Sequence, residues 1–184
     1  MKKILLTLSL IMFLVPASWA LDGAAGVGKY NSKFEIGAIG GGFGVLYDYG
    51  LTTDWTVYGA FDAFSALSGF GVGTKYAFLN EKKGDILSLS AQLGLLMGGG
   101  GVIVAPGAVI SKQLNNKLTV LGDLHLKSSG PLSYTWLGGG ALYDINEHFQ
   151  VGGELGLVNV IVDYLGFKWE TSGLSVGLGL NYVF

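Results

Sequence analysis

From Phe34 onward the chain alternates apolar with small or polar residues at a period of two. That is the period of a strand, whose successive side chains point to opposite faces. The clearest run is Thr171 to Phe184, where Leu174, Val176, Leu178, Leu180, Tyr182 and Phe184 alternate with Ser175, Gly177, Gly179, Asn181 and Val183. The same alternation predicts strands at Phe34–Ala38, Phe43–Leu51, Trp55–Asp62, Phe70–Phe78, Leu87–Leu95, Val102–Leu114, Leu118–Lys127, Ser133–Ile145 and Phe149–Leu157. Pro106 cannot donate to a ladder, so a bulge is expected there. Together these runs predict ten strands, or eight if Phe34–Ala38 and one other run fall short. The tight polar turns at 52–54, 80–85, 115–117 and 146–148 fall at every second connection, which puts them on one side and makes the count even. Ile161 to Glu170 reads as the longest connection on the other side.

Alternation alone does not say whether the apolar face looks into a core or out into lipid. In a soluble sandwich or barrel it is the core. In a membrane barrel it faces lipid, and the small or polar face lines the lumen. The small face here is mostly Gly, Ala, Ser and Thr, too poor in charge for a water-facing surface, which usually carries about 25–35% charged residues. Aromatic residues of the apolar face gather at strand ends. Beside the tight turns these are Tyr47, Tyr49, Trp55, Tyr76, Phe78, Tyr143, Phe149, Tyr182 and Phe184, and near the other rim Phe43, Phe61, Phe70, Tyr164, Phe167 and Trp169. Two such girdles suit the two headgroup levels of a bilayer.

Residues 1–20 read as a secretory signal peptide: Lys2 and Lys3, an apolar stretch from Ile4 to Val15, Pro16, and small residues at Ser18 and Ala20. The stretch is shorter than the roughly 20 residues of a spanning helix. Cleavage near Ala20 would leave residues 21–184 as one domain. All 32 Gly lie in that part, and none follows a Gly-X-Y period. Without Cys, neither disulfides nor thiol chemistry is available. Nine Lys and no Arg against thirteen acids give the mature part a net charge of −4, which excludes a basic nucleic-acid footprint.

With these features the chain resembles a small bacterial outer-membrane β-barrel protein. The resemblance covers residues 21–184 and is architectural. It implies a closed up-and-down antiparallel transmembrane β-barrel in a Gram-negative outer membrane, with both termini periplasmic. It also implies outer-membrane lipid and lipopolysaccharide as surroundings, and the barrel assembly machinery as a partner during biogenesis. The Tyr182-Val183-Phe184 ending is similar to the signal which that machinery reads, with Phe184 at its end.

The expected lumen carries Glu35, Asp48, Asp62, Asp123, Asp144 and Glu154 against Lys33, Lys75 and Lys127, together with His125. Buried charges pair or are solvated. One reading is a stabilising polar network that plugs a narrow barrel; the other is a water-filled, weakly acidic pore favouring cations. Asp123, His125 and Lys127 share one face of one strand, so an Asp-oriented His could act as a general base. Lipid A deacylases, also outer-membrane barrels, resemble this in using a His-x-Ser pair, but here the third position is Lys127. No spacing points to a metal site. The runs Gly98–Gly101 and Gly138–Gly140 lack the Gly-Lys-Ser/Thr of a phosphate loop. The sequence thus leads to a structural barrel with a plugged lumen, with a narrow channel as the alternative, a lipid-modifying enzyme as the remote one, and no cofactor.

Overall fold

The computed structural model describes residues 23–39, 42–63, 67–98 and 101–184; the expected signal segment lies outside these. The described residues form ten strands: β1 (Ser32–Ile39), β2 (Gly42–Gly50), β3 (Trp55–Ala63), β4 (Gly69–Leu79), β5 (Ser88–Gly98), β6 (Gly101–Gln113), β7 (Leu118–Ser129), β8 (Leu132–Asp144), β9 (Phe149–Tyr164) and β10 (Phe167–Val183). A single 3₁₀ turn, Glu81–Lys83, sits between β4 and β5. Each strand pairs antiparallel with its neighbour in sequence, and β1 pairs with β10 from Lys33↔Val183 to Ile39↔Gly177. The sheet is a closed up-and-down barrel of ten strands, not eight, and closure removes most of the free edge.

The tight turns share one device. Thr52 Oγ1 accepts from the N–H groups of Asp54 and Trp55, Asn115 Oδ1 from Lys117 and Leu118, and Asn146 Oδ1 from His148 and Phe149. A short polar side chain thereby takes over backbone donors that the turn leaves without a ladder partner. These turns, the 80–87 segment and both ends of the strand series lie at one rim, called here the turn rim.

The faces follow the alternation. Leu93, Leu95, Leu155, Leu157, Leu174, Val176 and Leu178 are exposed on the outside, while Glu35, Asp48, Asp62, Lys75, Asp123, His125, Lys127 and Glu154 are buried inside. Among the described residues no helix is long and apolar enough to cross a membrane.

Three expectations need correction. First, Pro106 causes no bulge. It pairs with Leu93 of β5 and points outward, and the β6–β7 ladder resumes at Gly107↔His125 in the same register it had at Val104↔Ser128. The missing N–H only omits rows on the β7 side. The register shift falls instead at Ala77/Leu79 between β4 and β5.

Second, Ile161 to Glu170 is not a long connection. It is the top of the β9–β10 hairpin, paired up to Tyr164↔Phe167 across a two-residue turn at Leu165 (φ 52) and Gly166 (φ 80). Positive φ at both positions is the backbone of a type I′ turn, but Leu in place of Asn or Asp hid it. β1 ends opposite Gly177, so this hairpin stands above the far rim without β1 beside it.

Third, Tyr164, Phe167 and Trp169 do not belong to an outer girdle. By register they continue the inward series of Val158, Val160 and Thr171, along the inner side of the hairpin.

Candidate functional site

The site is the lumen, and its content changes along the barrel. Toward the turn rim it is polar. Lys33 Nζ lies 3.3 Å from Glu35 Oε2 and 3.2 Å from Asp48 Oδ2. Glu35 is two residues along the same strand, and Asp48 is the residue paired with Lys33 across the β1–β2 ladder. One strand geometry thus brings all three together. Asn181, Gln150 and Asp144 form a chain on the adjoining strands: Asn181 Nδ2 donates to Gln150 Oε1 at 3.3 Å, and Gln150 Nε2 to Asp144 Oδ1 at 2.6 Å.

At mid-height His125 is held at both ring nitrogens. Nε2 lies 2.7 Å from Asp123 Oδ2, and Nδ1 lies 2.8 Å from Gln92 Nε2. A general base needs an open nitrogen aimed at a substrate proton. His125, 3% exposed, has Gln92 against Nδ1 and Asp123 against Nε2, which leaves neither nitrogen open to a substrate. Lys127, the third residue on that face, turns to Asp62 of β3 instead and pairs with it across the lumen.

Toward the far rim the filling is apolar. Leu96, Ile103, Ala105, Tyr134, Trp136, Val158 and Val160 are buried there, and Leu67 after β3 joins them. Leu46, Tyr58, Leu121 and Leu142 extend the same cluster toward the turn rim. The sequence reading of a thin inner face of small residues missed this filling. The signal was present in the register, because Tyr58, Tyr134 and Trp136 fall on the inner phase of β3 and β8.

The inner glycines make room for these side chains. A Cβ at Gly138 or Gly156 would lie 2.6 Å from the Trp136 ring, and one at Gly73 would meet the ring of Tyr58. A Cβ at Gly107 would lie 2.6 Å from His125 Nδ1. Large inner residues therefore lie flat across bare stretches of wall, and the lumen is occupied by side chains at these levels.

The turn-rim mouth is covered by the segment 23–31. Ala24 is fully buried, and its N–H donates to Ser111 Oγ at 3.1 Å. Lys75 Nζ donates to Gly23 O at 3.0 Å and Lys82 Nζ to Gly26 O at 2.8 Å. Lys82 reaches in from the 3₁₀ turn. Its ammonium is held below the usual lysine range, first by desolvation and then by repulsion from Lys75 and Lys33, although much of its stem is exposed. Beneath the segment is a cavity of about 350 Å³ with a mixed lining, Lys33, Lys82, Ser111 and Asp144 on its polar side and Val27 and Leu142 on its apolar side. The sequence showed this segment only as Gly- and Ala-rich.

The expected girdle residues Tyr47, Tyr49, Trp55, Tyr76, Phe78, Tyr143, Phe149 and Tyr182 all lie on the outer face near the turn rim. Several interlock edge to face: Trp55 with Tyr76 at 6.2 Å, Tyr76 with Phe78 at 5.2 Å, and Tyr182 with Phe149 at 4.8 Å and Phe184 at 4.7 Å. Among the described residues no group of three His, Asp or Glu is placed to hold a metal ion.

Solved structures with this architecture include porins. The chain is similar to the KdgM porin (TM-score 0.53, 12% identity, covering 84% of this chain and 99% of that one). It is similar to the same porin in complex with disordered oligogalacturonate (TM-score 0.51, 12% identity, 84% and 99%). It is also similar to the NanC porin in a rhombohedral crystal form (TM-score 0.52, 12% identity, 82% and 98%). At this identity the likeness is one of fold, the closed antiparallel barrel. No family model and no curated protein matches the chain.

Proposed function

We propose that the protein is an outer-membrane β-barrel whose lumen is closed, acting as a structural barrel rather than as an open diffusion pore. The observation that carries this is the filling of the lumen. Paired charges occupy the turn-rim half, Tyr58 and Trp136 lie across the wall, an apolar cluster with the Lys127–Asp62 pair fills the far half, and segment 23–31 covers the mouth. The exposed outer band of Leu and Val, bounded by the interlocked aromatic residues, supports membrane placement. The porin fold supports the same membrane. In this reading the turn rim and both termini are periplasmic, and residues 1–20 are the signal peptide. Tyr182 and Phe184, on the outer face, form the ending read by the barrel assembly machinery, and phospholipid and lipopolysaccharide surround the wall. Planar-bilayer recording tests it: folded protein gives no openings, and steady conductance from well-folded protein would sink the closed-lumen reading.

A second reading is a narrow channel for small or cationic solutes. It is favoured by the polar turn-rim half, where Glu35, Asp48, Asp123, Asp144 and Glu154 line the wall, and by a mouth covered only by a short segment held through backbone contacts. Deletion of residues 23–28 would then produce cation-selective openings, whereas a deletion variant as silent as the parent would remove it.

A further inference from the structure

The top of the β9–β10 hairpin reverses the polarity of the wall beneath it. Lower on these strands the outward residues are Leu155, Leu157, Leu174 and Val176. Above them the outward row becomes Asn159, Ile161, Asp163, Lys168, Glu170 and Ser172, and Asn159 Nδ2 donates to Glu170 Oε1 at 3.1 Å. Hydrocarbon suits the first set and water the second. The inner side does the opposite. Trp169, Phe167 and Tyr164 carry the buried series of Val158 and Val160 outward into solvent, where Phe167 is 71% exposed.

The same stretch has an open edge. Val183 N–H donates to His148 O on the β9 side, and Phe184 N–H to Ser32 O on the β1 side. Backbone groups alternate sides along an antiparallel strand. Even-numbered residues of β10 thus face β1, and β1 ends at Ile39↔Gly177. Lys168, Glu170 and Ser172 each turn one N–H and one C=O to a side where the described residues place no strand. The ladder to β9 keeps one register from Tyr164↔Phe167 to Tyr182↔Phe149, so no bulge twists the edge away, and no Pro interrupts it.

We propose that this edge takes up an extended segment of another protein as an added strand, on the extracellular side. The proposal rests on the membrane placement above. Three features select a polypeptide. Bonding groups recur at every second residue, about 7 Å apart, and an extended backbone is what answers them at that repeat. The added strand continues the β1–β10 ladder upward, in line with β1. Its side chains alternate, one set onto Phe167 and Trp169, the other beside Lys168 and Glu170, whose opposite charges call for an acid and a base two residues apart. A second copy does not fit. Barrel strands tilt by about 35–45°, so the β10 edges of two copies in one membrane cross instead of pairing.

The probe is a synthetic peptide with the sequence Val158–Tyr164, capped at both ends, carrying a fluorophore and Ile161→Lys. In the register that β9 itself uses, it sets Asp163 opposite Lys168, a base opposite Glu170, and Val162 and Tyr164 opposite Trp169 and Phe167. Fluorescence anisotropy with the mature protein folded in detergent micelles shows saturable binding. Methylating the peptide amides at positions 159, 161 and 163, which face the edge, abolishes it while every side chain is kept. Ser172→Pro removes an N–H that β9 does not use. It weakens binding about tenfold or more, through a lost bond and a ring in the path of the added strand. The gel shift between unboiled and boiled samples reports folding of the variant. A parent that does not bind, or equal binding by the methylated peptide or by folded Ser172→Pro, overturns the proposal and leaves the membrane reading intact. Dimers in native mass spectrometry that Ser172→Pro dissolves assign the edge to a second copy and overturn it too. A mature chain soluble without detergent overturns the membrane reading, and the extracellular placement with it.

Discussion

The two halves of the lumen share one wall and are filled in opposite ways. Near the turn rim, charges meet partners on the same or the adjoining strand: Lys33 lies beside Glu35, two residues along one face, and beside Asp48 of β2. Near the far rim, apolar side chains from β5, β6, β8 and β9 meet across the barrel. The first kind of filling is local and costs desolvation that each pair must offset. The second excludes water without any pairing. The ion pair of Lys127 and Asp62, 65 residues apart, lies instead toward the far rim, and both are nearly fully buried. A charge among apolar neighbours loses more when its counter-charge is removed than one near the polar rim.

Lys127→Met breaks the contrast most severely. It leaves Asp62 buried without its cation and is expected to cost about 3–5 kcal/mol. Urea unfolding in detergent micelles measures it, and the double variant Lys127→Met, Asp62→Leu recovers most of the loss. A single variant as stable as the parent would show that water reaches this half.

Next is Trp136→Ala, which removes the largest fully buried side chain of the far half. A loss of about 3 kcal/mol is expected. The same variant joins the space over Gly138 and Gly156 to the lumen, so brief openings appear in planar bilayers where the parent is silent. Silence from a folded variant would assign closure to the remaining Leu, Val and Tyr side chains.

Gly73→Ala probes the wall between the halves. Its methyl group meets the Tyr58 ring, and overpacking of this kind costs about 1–3 kcal/mol. Combining it with Tyr58→Leu restores stability if the bare wall exists for that ring.

The smallest effect lies outside the lumen. At the turn rim Asp54 bonds Lys83, and this holds its carboxyl below the usual aspartate range, with burial opposing and Asn80 assisting. A folded-state pKa below the unfolded one means that the contribution is present above about pH 4 and is lost as pH falls through the folded value. The pair is partly exposed, so Asp54→Asn costs under about 1 kcal/mol at pH 7. Melting curves of parent and variant should converge as pH falls through the folded-state value of Asp54.

Much of the barrel was legible in the chain. Strand existence, order and facing follow from a period that each strand carries by itself, and the turn residues Thr52, Asn115 and Asn146 announce their hydrogen bonds. The site was legible in its list of charges but not in its pairing. Asp123, His125 and Lys127 look alike as a series on one face, yet His125 bonds Gln92 and lies beside Asp123 while Lys127 reaches Asp62. The hairpin top at Leu165 and Gly166 was hidden because Leu seldom takes positive φ.

By itself the sequence determined an even series of alternating strands, ten or eight, the greasy outer face of β10 from Leu174 to Phe184, and the inward face of most strands, because alternation and turn chemistry act within a few residues. Only the tertiary structure decided what fills the barrel. Closing β1 onto β10 sets strands distant in sequence around one narrow space. There Trp136 lies on Gly138 and Gly156, Lys127 finds Asp62, and the carbonyls of Gly23 and Gly26 meet Lys75 and Lys82. These contacts depend on the width and register of the closed ring, which no single strand encodes.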